Sequence, residues 1–186
     1  MSIEEQIEII GKGADGIINV DDLKKKLERS QKIGIPLLIK LGLDPTAPDI
    51  HLGHTVVLRK IRQFQNMGHR AIIIIGDFTG MIGDPTGRSK TRKQLSREEV
   101  IKNAKTYEDQ IFKVLDKEKT EVRFNSQWLS KLNLEDIIRL TSKCTVARIL
   151  ERDDFHKRFN NHESIGIHEL FYPLMQAYDS IVVKAD

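Results

Sequence analysis

Cysteine is almost absent from this 186-residue chain: Cys144 stands alone. That excludes a disulfide framework and a thiolate metal cluster, and it suits a reducing, cytoplasmic setting. No apolar run approaches the length that crosses a bilayer. The chain opens on Ile3-Glu4-Glu5-Gln6, an acidic helical run unlike a signal peptide, so no membrane partner is expected. Neither sign of charge is in excess: 30 Lys and Arg against 27 Asp and Glu leave a net +3. Overall charge therefore does not argue for nucleic acid, although a local patch can. Internal repeats and low-complexity linkers are absent, and His69, His156, His162 and His168 show no metal-ligand spacing. What remains is an ordinary globular composition, 39% hydrophobic and 31% charged, on a chain long enough for one buried core.

The pattern along the chain alternates. Residues 1–36 read as a polar helical lead-in with a weak Leu23/Leu27 stripe, ended by Gly34 and Pro36. Leu37 to Leu43 is a mostly apolar run of the kind that forms a buried parallel strand. A Pro-containing loop leads to a helix with Val57, Ile61 and Phe64 at helical spacing and Gly68 at its end. Ala71 to Ile75 is a second strand, so strand, helix and strand form a parallel crossover. Ser96-Arg97-Glu98-Glu99 is a capping box opening a helix with Val100, Ala104, Tyr107, Ile111 and Val114 on one face. A short third strand covers Glu121 to Asn125. Short amphipathic helices fill 126–164, and a last helix runs from about His168 to Tyr178. The closing run Ile181-Val182-Val183-Lys184 reads as strand-like, and a domain rarely ends there, so the chain is expected to be a fragment. The expected fold is α/β: a doubly wound parallel sheet with a first half over 37–125, a helical insertion over 126–164 and an incomplete second half from 165 to 186.

Three constellations carry chemistry. His51-Leu52-Gly53-His54 opens a helix after a buried strand, where backbone N–H groups and the helix dipole favour phosphate. Imidazoles there can donate to phosphoryl oxygens as charge builds in a transition state, and Gly53 lets a nucleotide approach the backbone. The competing reading is two idle histidines at a helix start. Asp44-Pro45-Thr46 precedes it at the carboxyl end of a strand, where ligands bind in open α/β sheets; alone it would be a Pro-containing turn with Asp as a local cap. The loop from Gly76 to Gly87 holds four glycines and two carboxylates, Asp77 and Asp84, and suits the floor of a polar pocket. It lacks the Lys-Ser/Thr ending of a P-loop and the G-x-G-x-x-G of dinucleotide binding. Tyr172, Gln176 and Asp179 share one helix face, which reads as a polar pocket wall because burying such groups without partners is costly, or else as a solvent-facing stripe. Arg88 to Lys93 carries four positive charges that could meet phosphates or be a solvated loop, and Trp128 reads as core rather than a stacking platform.

Taken together, the segments beginning at Leu41, His51, Thr79 and Tyr172 resemble the bacterial tyrosyl-tRNA synthetases in order and spacing, with His51 to His54 similar to the class I HIGH signature. The resemblance implies a Rossmann-like class I catalytic domain that activates L-tyrosine with ATP and Mg2+ to tyrosyl-adenylate and transfers it to tRNA(Tyr). It implies that Thr46 and His51 hold the γ-phosphate, that His54 and Gly53 lie against ribose and adenine, and that Asp44 and Leu41 line the ATP site. Thr79, Asp84, Tyr172 and Gln176 would hold the α-ammonium, and Asp179 would accept from the phenol. The better-known form has Tyr-Cys where Lys40 and Leu41 stand, so Lys40 enters the tyrosine site as a departure, and a divergent branch is closer there. The resemblance further implies a homodimer formed through roughly Ser126 to Ser164. The Lys-rich KMSKS loop that completes the family's ATP grip is not in this chain, so little adenylate formation is expected from it alone. Other readings stay open: a tryptophanyl-type synthetase, a small nucleotidyltransferase using the same His-x-Gly-His chemistry, and a non-catalytic dimerising or RNA-binding module.

Overall fold

The computed structural model describes every residue except Thr46, Pro48 and 83–96. Its elements are α1 (Ile3–Gly11), α2 (Val20–Ile33), β1 (Leu38–Leu43), α3 (Leu52–Asn66), β2 (Arg70–Ile75), α4 (Thr79–Ile82), α5 (Arg97–Ile111), β3 (Thr120–Phe124), α6 (Ser126–Leu129), α7 (Leu134–Thr141), α8 (Val146–Leu150), α9 (Asp153–Asn160) and α10 (Tyr172–Val183). Short 3-10 turns precede β3 and α10, at Lys117–Lys119 and Ile167–Phe171.

Among the described residues the strands form one parallel sheet in the order β1-β2-β3, with Leu38 opposite Arg70 and Ala71 opposite Thr120. β2 is central, and Ala71 to Ile75 are all buried at 1% exposure or less, as a strand covered on both faces must be. Alternation sorts its side chains. Ile73 and Ile75 pack with Leu58 and Ile61 of α3 and Ala104, Tyr107 and Ile111 of α5. Ile72 and Ile74 pack with Trp128 and Leu129 of α6 and Met175 and Val183 of α10. Helices thus cover both faces, the doubly wound arrangement expected from the alternation. A third cluster, Ile3, Ile10, Leu27, Leu37 and Phe64, fastens α1 and α2 to the amino-terminal end of β1.

Several sequence expectations are corrected. The lead-in is two helices, interrupted near Gly13, which sits at φ +76°. Val57 is 43% exposed; its neighbour Leu58, at 0%, faces the core with Ile61 and Phe64. Gly68 does follow the α3 terminus in a left-handed conformation, φ +99°. Ile181 to Lys184 is not a strand. The buried positions Tyr172, Met175, Asp179 and Val183 keep helical spacing to the end of α10, and Lys184 stops it at φ +53°. The last helix begins at Tyr172 rather than His168 because the residues before it form the 3-10 turn. Ser96 of the capping box lies outside the described residues; the helix it was read to open begins at Arg97. After α10 the chain returns to the sheet, where the Asp186 N–H donates to the Leu38 carbonyl at 3.1 Å and the Leu38 N–H donates to Asp186 Oδ2 at 3.0 Å.

His69 sits at the turn from α3 into β2, 5% exposed, and its Nδ1 accepts from the Leu37 N–H at 3.2 Å. Burial holds its imidazole below the ordinary value of 6.5, against a smaller opposite pull from Asp186. The folded chain therefore refuses a proton that the unfolded chain accepts, and stability falls as pH drops through the unfolded value of about 6.5. Urea melts at pH 7.5 and 5.5 should show this loss. His69→Asn, which keeps an acceptor toward Leu37 without the titration, should flatten the dependence over that window.

Candidate active site at the carboxyl ends of the strands

Polar residues follow each strand, and these converge. Asp44 follows β1, Asp77 and Thr79 follow β2, and Asn125 follows β3. Asp44 Oδ1 accepts from the Thr79 hydroxyl at 2.7 Å, and its Oδ2 accepts from the Tyr172 phenol at 2.8 Å. Thr79 Oγ1 accepts in turn from Asn125 Nδ2 at 3.0 Å, and the same amide reaches Asp179 Oδ2 at 3.4 Å. The Trp128 indole N–H donates to Asp179 Oδ1 at 2.7 Å. Asn125 Oδ1 accepts from the Phe78 N–H at 3.0 Å, so this one buried amide ties the end of β2 to α10. One connected network thus runs Tyr172–Asp44–Thr79–Asn125–Asp179–Trp128. Beside it the Asp77 carboxylate takes the Ser126 N–H at 2.9 Å and the Ser126 hydroxyl at 2.5 Å, fixing the start of α6.

Gly76 makes the network possible. A Cβ there would lie 1.8 Å from Asp44 Oδ1 and 2.4 Å from Thr79 Oγ1. The carboxylate occupies the space of the missing side chain.

Asp179 is 4% exposed, and burial raises its carboxyl above the ordinary range, opposed by the bonds from Trp128 and Asn125 and by the charge of Lys40. Lys40 lies on the face of β1 that looks toward α10 and donates to the Gln176 carbonyl at 3.1 Å. Burial lowers its ammonium below the ordinary range, and Asp179 pulls the other way. Two residues along β1 from Lys40, Gly42 is exposed, and a Cβ on it would meet only Lys40 Cε, at 4.0 Å.

The helix-start histidines cap α3 reciprocally. His51 Nδ1 accepts from the Gly53 N–H at 3.1 Å, and His54 Nδ1 accepts from the His51 N–H at 3.1 Å. Their rings lie 4.0 Å apart. Burial and the neighbouring His51 hold the His54 imidazole below the ordinary range. With Nδ1 accepting, each ring carries its proton on Nε2, which can donate. Gly53 has a reason the sequence did not reveal. A Cβ there would lie 2.9 Å from His51 Cε1, so glycine lets that ring fold back over the helix start.

The structure thus brings together Asp44, Thr79, Tyr172 and Asp179, places His51, Gly53 and His54 at the start of α3, and sets Lys40 across from α10. Leu41 points to the opposite face of the sheet, among residues packed against α3 and α5. Gln176 is exposed, unlike Tyr172 and Asp179 on the same helix. Thr46, Asp84 and the basic run 88–93 lie outside the described residues. Asn125 and Trp128 were missed as site residues. Position was the available signal: Asn125 ends a parallel strand, where ligands gather, and an indole in a core needs an acceptor for its N–H.

The family model for tRNA synthetases class I (W and Y) matches residues 31–186. The chain belongs to that family. It is 67% identical over 185 residues to tyrosine–tRNA ligase 2 of Clostridium acetobutylicum, covering 100% of this chain and 46% of that protein. Among solved structures, the C-terminally truncated mitochondrial tyrosyl-tRNA synthetase of Coccidioides posadasii superposes with a TM-score of 0.74 at 25% identity, over 98% of this chain and 52% of that one. The Archaeoglobus fulgidus tyrosyl-tRNA synthetase complexed with L-tyrosine shares the fold, with a TM-score of 0.78 at 19% identity over 100% of this chain and 54% of that one. The chain thus spans about half the length of the curated relatives it matches. The three-stranded parallel sheet with helices on both faces is the Rossmann-like core expected of a class I synthetase.

Two substitutions test the network. Gly76→Ala forces Asp44 off Thr79 and should cost about 1–3 kcal/mol, as overpacking does. Trp128→Phe removes one of the donors holding a buried carboxylate and should cost about 1–3 kcal/mol. Denaturant melts of both variants check these values, and wild-type stability in either would refute the assignment.

Proposed function

We propose that this chain forms the ATP- and tyrosine-binding part of a tyrosine–tRNA ligase. The observation that carries this reading is the polar cluster at the carboxyl ends of the strands: Asp44 holding Thr79 and Tyr172, the buried Asp179 held by Trp128, and two imidazoles at the start of α3. The names of the relatives, at 56–67% identity, support tyrosine over tryptophan.

In this reading tyrosine lies between β1 and α10 with its phenol toward Asp179 and its α-ammonium toward Tyr172, Thr79, Gln176 and Asp84. Asp44 takes the protons of both the Thr79 and the Tyr172 hydroxyls. Their oxygens are thereby oriented as acceptors, which is what an ammonium needs. His51, with Thr46, stabilises charge on the γ-phosphate, while His54 and Gly53 contact the nucleoside and Leu41 backs that part of the sheet. The tyrosine carboxylate then attacks the α-phosphate, pyrophosphate leaves, and no protein nucleophile is required; positioning and preorganised donors supply the catalysis. Mg2+ accompanies ATP. Among the described residues no group of three or more His, Cys, Asp or Glu is placed to hold a metal. Transfer to tRNA(Tyr) completes the reaction. Among the described residues no helix is long and apolar enough to cross a membrane.

The insertion supports a homodimer. Leu134 and Ile138 on α7 are 75% and 60% exposed, and Val146 and Phe159 are 59% and 58% exposed, apolar surface that a second copy can cover. Sedimentation should show a dimer that Ile138→Glu dissociates.

Pyrophosphate exchange on the whole protein tests the activity. Tyrosine-dependent exchange is expected, and Asp179→Asn should lower kcat/KM for tyrosine by about 10- to 100-fold, the worth of a charge-assisted hydrogen bond. Exchange driven better by tryptophan would overturn the assignment.

A further inference from the structure

α5 carries no residue of the proposed substrate site, yet its inner face is not apolar throughout. Ala104, Tyr107 and Ile111 pack its buried stripe against β2 and α3. Asn103 and Gln110 stand in the same stripe, where a polar side chain without a partner would be costly. Both direct their amides at one segment, the connection from β1 to α3. Asn103, 8% exposed, donates from Nδ2 to the Pro45 carbonyl at 3.0 Å, one residue after Asp44. Gln110 Nε2 donates to Asp49 Oδ1 at 2.7 Å, and Gln110 Oε1 accepts from the Ile50 N–H at 2.9 Å, one residue before His51. Between these two amides the buried Tyr107 meets the His54 ring edge-on, with ring centres 6.0 Å apart. Asn103, Tyr107 and Gln110 are spaced i, i+4 and i+7, so one face of one helix holds both ends of the connection and the second histidine.

We infer that Asn103 and Gln110 are positioning residues that set the distance between the Asp44 cluster and the α3 histidines, and so between the two substrates, without touching either. This rests on the proposed ATP and tyrosine sites. Asp44 is tied to Thr79 and Tyr172 on the tyrosine side, and His51 and His54 stand on the ATP side. The connection between them belongs to no helix or strand, so no regular backbone ladder fixes how far His51 stands from Asp44. α5 supplies that reference. It is anchored on β2 through Ala104, Tyr107 and Ile111, and one amide bonds each end of the connection to it. Gln110 uses its donor on a side chain and its acceptor on the backbone, which fixes the approach to His51 at two points. Attack of a carboxylate on a phosphate requires the reacting atoms about 3–3.5 Å apart, and a misplacement of about 1 Å can cost 100-fold in rate. Each substrate can still bind on its own side. Loss of the grip therefore reaches the reaction of the two substrates together and spares the binding of tyrosine.

Pyrophosphate exchange and tyrosine calorimetry on the whole protein test this, using wild type, Asn103→Leu, Gln110→Leu, Gln110→Glu and Gln110→Glu combined with Asp49→Asn. Asn103→Leu and Gln110→Leu should each lower kcat for exchange by about 10- to 100-fold, while the Kd for tyrosine stays within about threefold. Gln110→Glu should act in the same way, because it sets a second carboxylate against Asp49. Adding Asp49→Asn restores a donor opposite that carboxylate and should return kcat to within about threefold of wild type. Rescue by a change on the connection identifies the contact itself, and not the folding of α5, as the cause. Wild-type kcat in Gln110→Leu and Gln110→Glu would refute the inference. A tyrosine affinity that falls in step with kcat would refute it too, as would a double variant that recovers nothing. A wild type whose exchange does not depend on tyrosine would instead bring down the tyrosine reading itself, a separate result.

Discussion

The carboxylate of Asp44, lying in the space where a side chain on Gly76 would be, is the constraint on which the site depends. That contact locks the end of β1 to the end of β2 at side-chain distance. Through the Tyr172 phenol it locks α10 to both. The three elements arrive from distant parts of the sequence, and no backbone ladder joins α10 to the strands at this end. Remove the carboxylate or crowd it, and the hydroxyls of Thr79 and Tyr172 lose the acceptor that orients them. The rest of the network, through Asn125 to Asp179, hangs from Thr79.

The sheet converts this local clasp into a site with two distinct sides. Alternation along β1 sends Ile39, Leu41 and Leu43 into the packing with α3 and α5, and leaves Leu38, Lys40 and Gly42 toward α10. The first set is apolar and closes one face. The second holds a charge and a glycine, so the other face is packed near Leu38 and opens as it approaches the carboxyl edge. β2, apolar on both faces, sits beneath as a rigid spacer. A strand register shifted by one residue would put Lys40 into the apolar layer and Leu41 into the crevice, so the parity that builds the core also builds the site.

The fold was legible in the sequence wherever burial is periodic. The apolar runs of β1 and β2, the spacing of Ile61 and Phe64, and the face from Val100 to Ile111 each betray their partners. It was illegible where one residue type serves two structures. Ile181 to Val183 are β-branched and look like a strand, but Val182 and Val183 pack with Ile72, Ile74 and Trp128 while Ile181 stays 67% exposed, the sidedness of a helix. Val57 and Leu58 differ only by a turn of 100°, which an apolar pattern of this quality does not resolve. For the site, residue types that rarely serve structure could be found: the two histidines, Asp44, Tyr172 and Asp179. Asn125 and Trp128 could not, since an asparagine at a strand end reads as a turn and a tryptophan reads as core. Trp128 is core, and its N–H still decides how Asp179 is held.

The chemistry of the two ends then follows from how each proton is placed. At the start of α3 both imidazoles spend Nδ1 on backbone N–H groups, which leaves Nε2 as the donor of each ring. In the proposed function these donors face phosphate oxygens, where they stabilise developing charge. At the other side Asp44 draws protons away from two hydroxyls, and Asp179 is raised by burial while two donors and Lys40 resist that rise. In the proposed function the sheet edge therefore presents donors to one end of the bound substrates and acceptors to the other. A zwitterionic amino acid in such a gradient has its ammonium drawn to the acceptors and its carboxylate left toward the donors. In the proposed function that is the side on which the phosphates lie, so the arrangement orients the nucleophile before any contact to it is made.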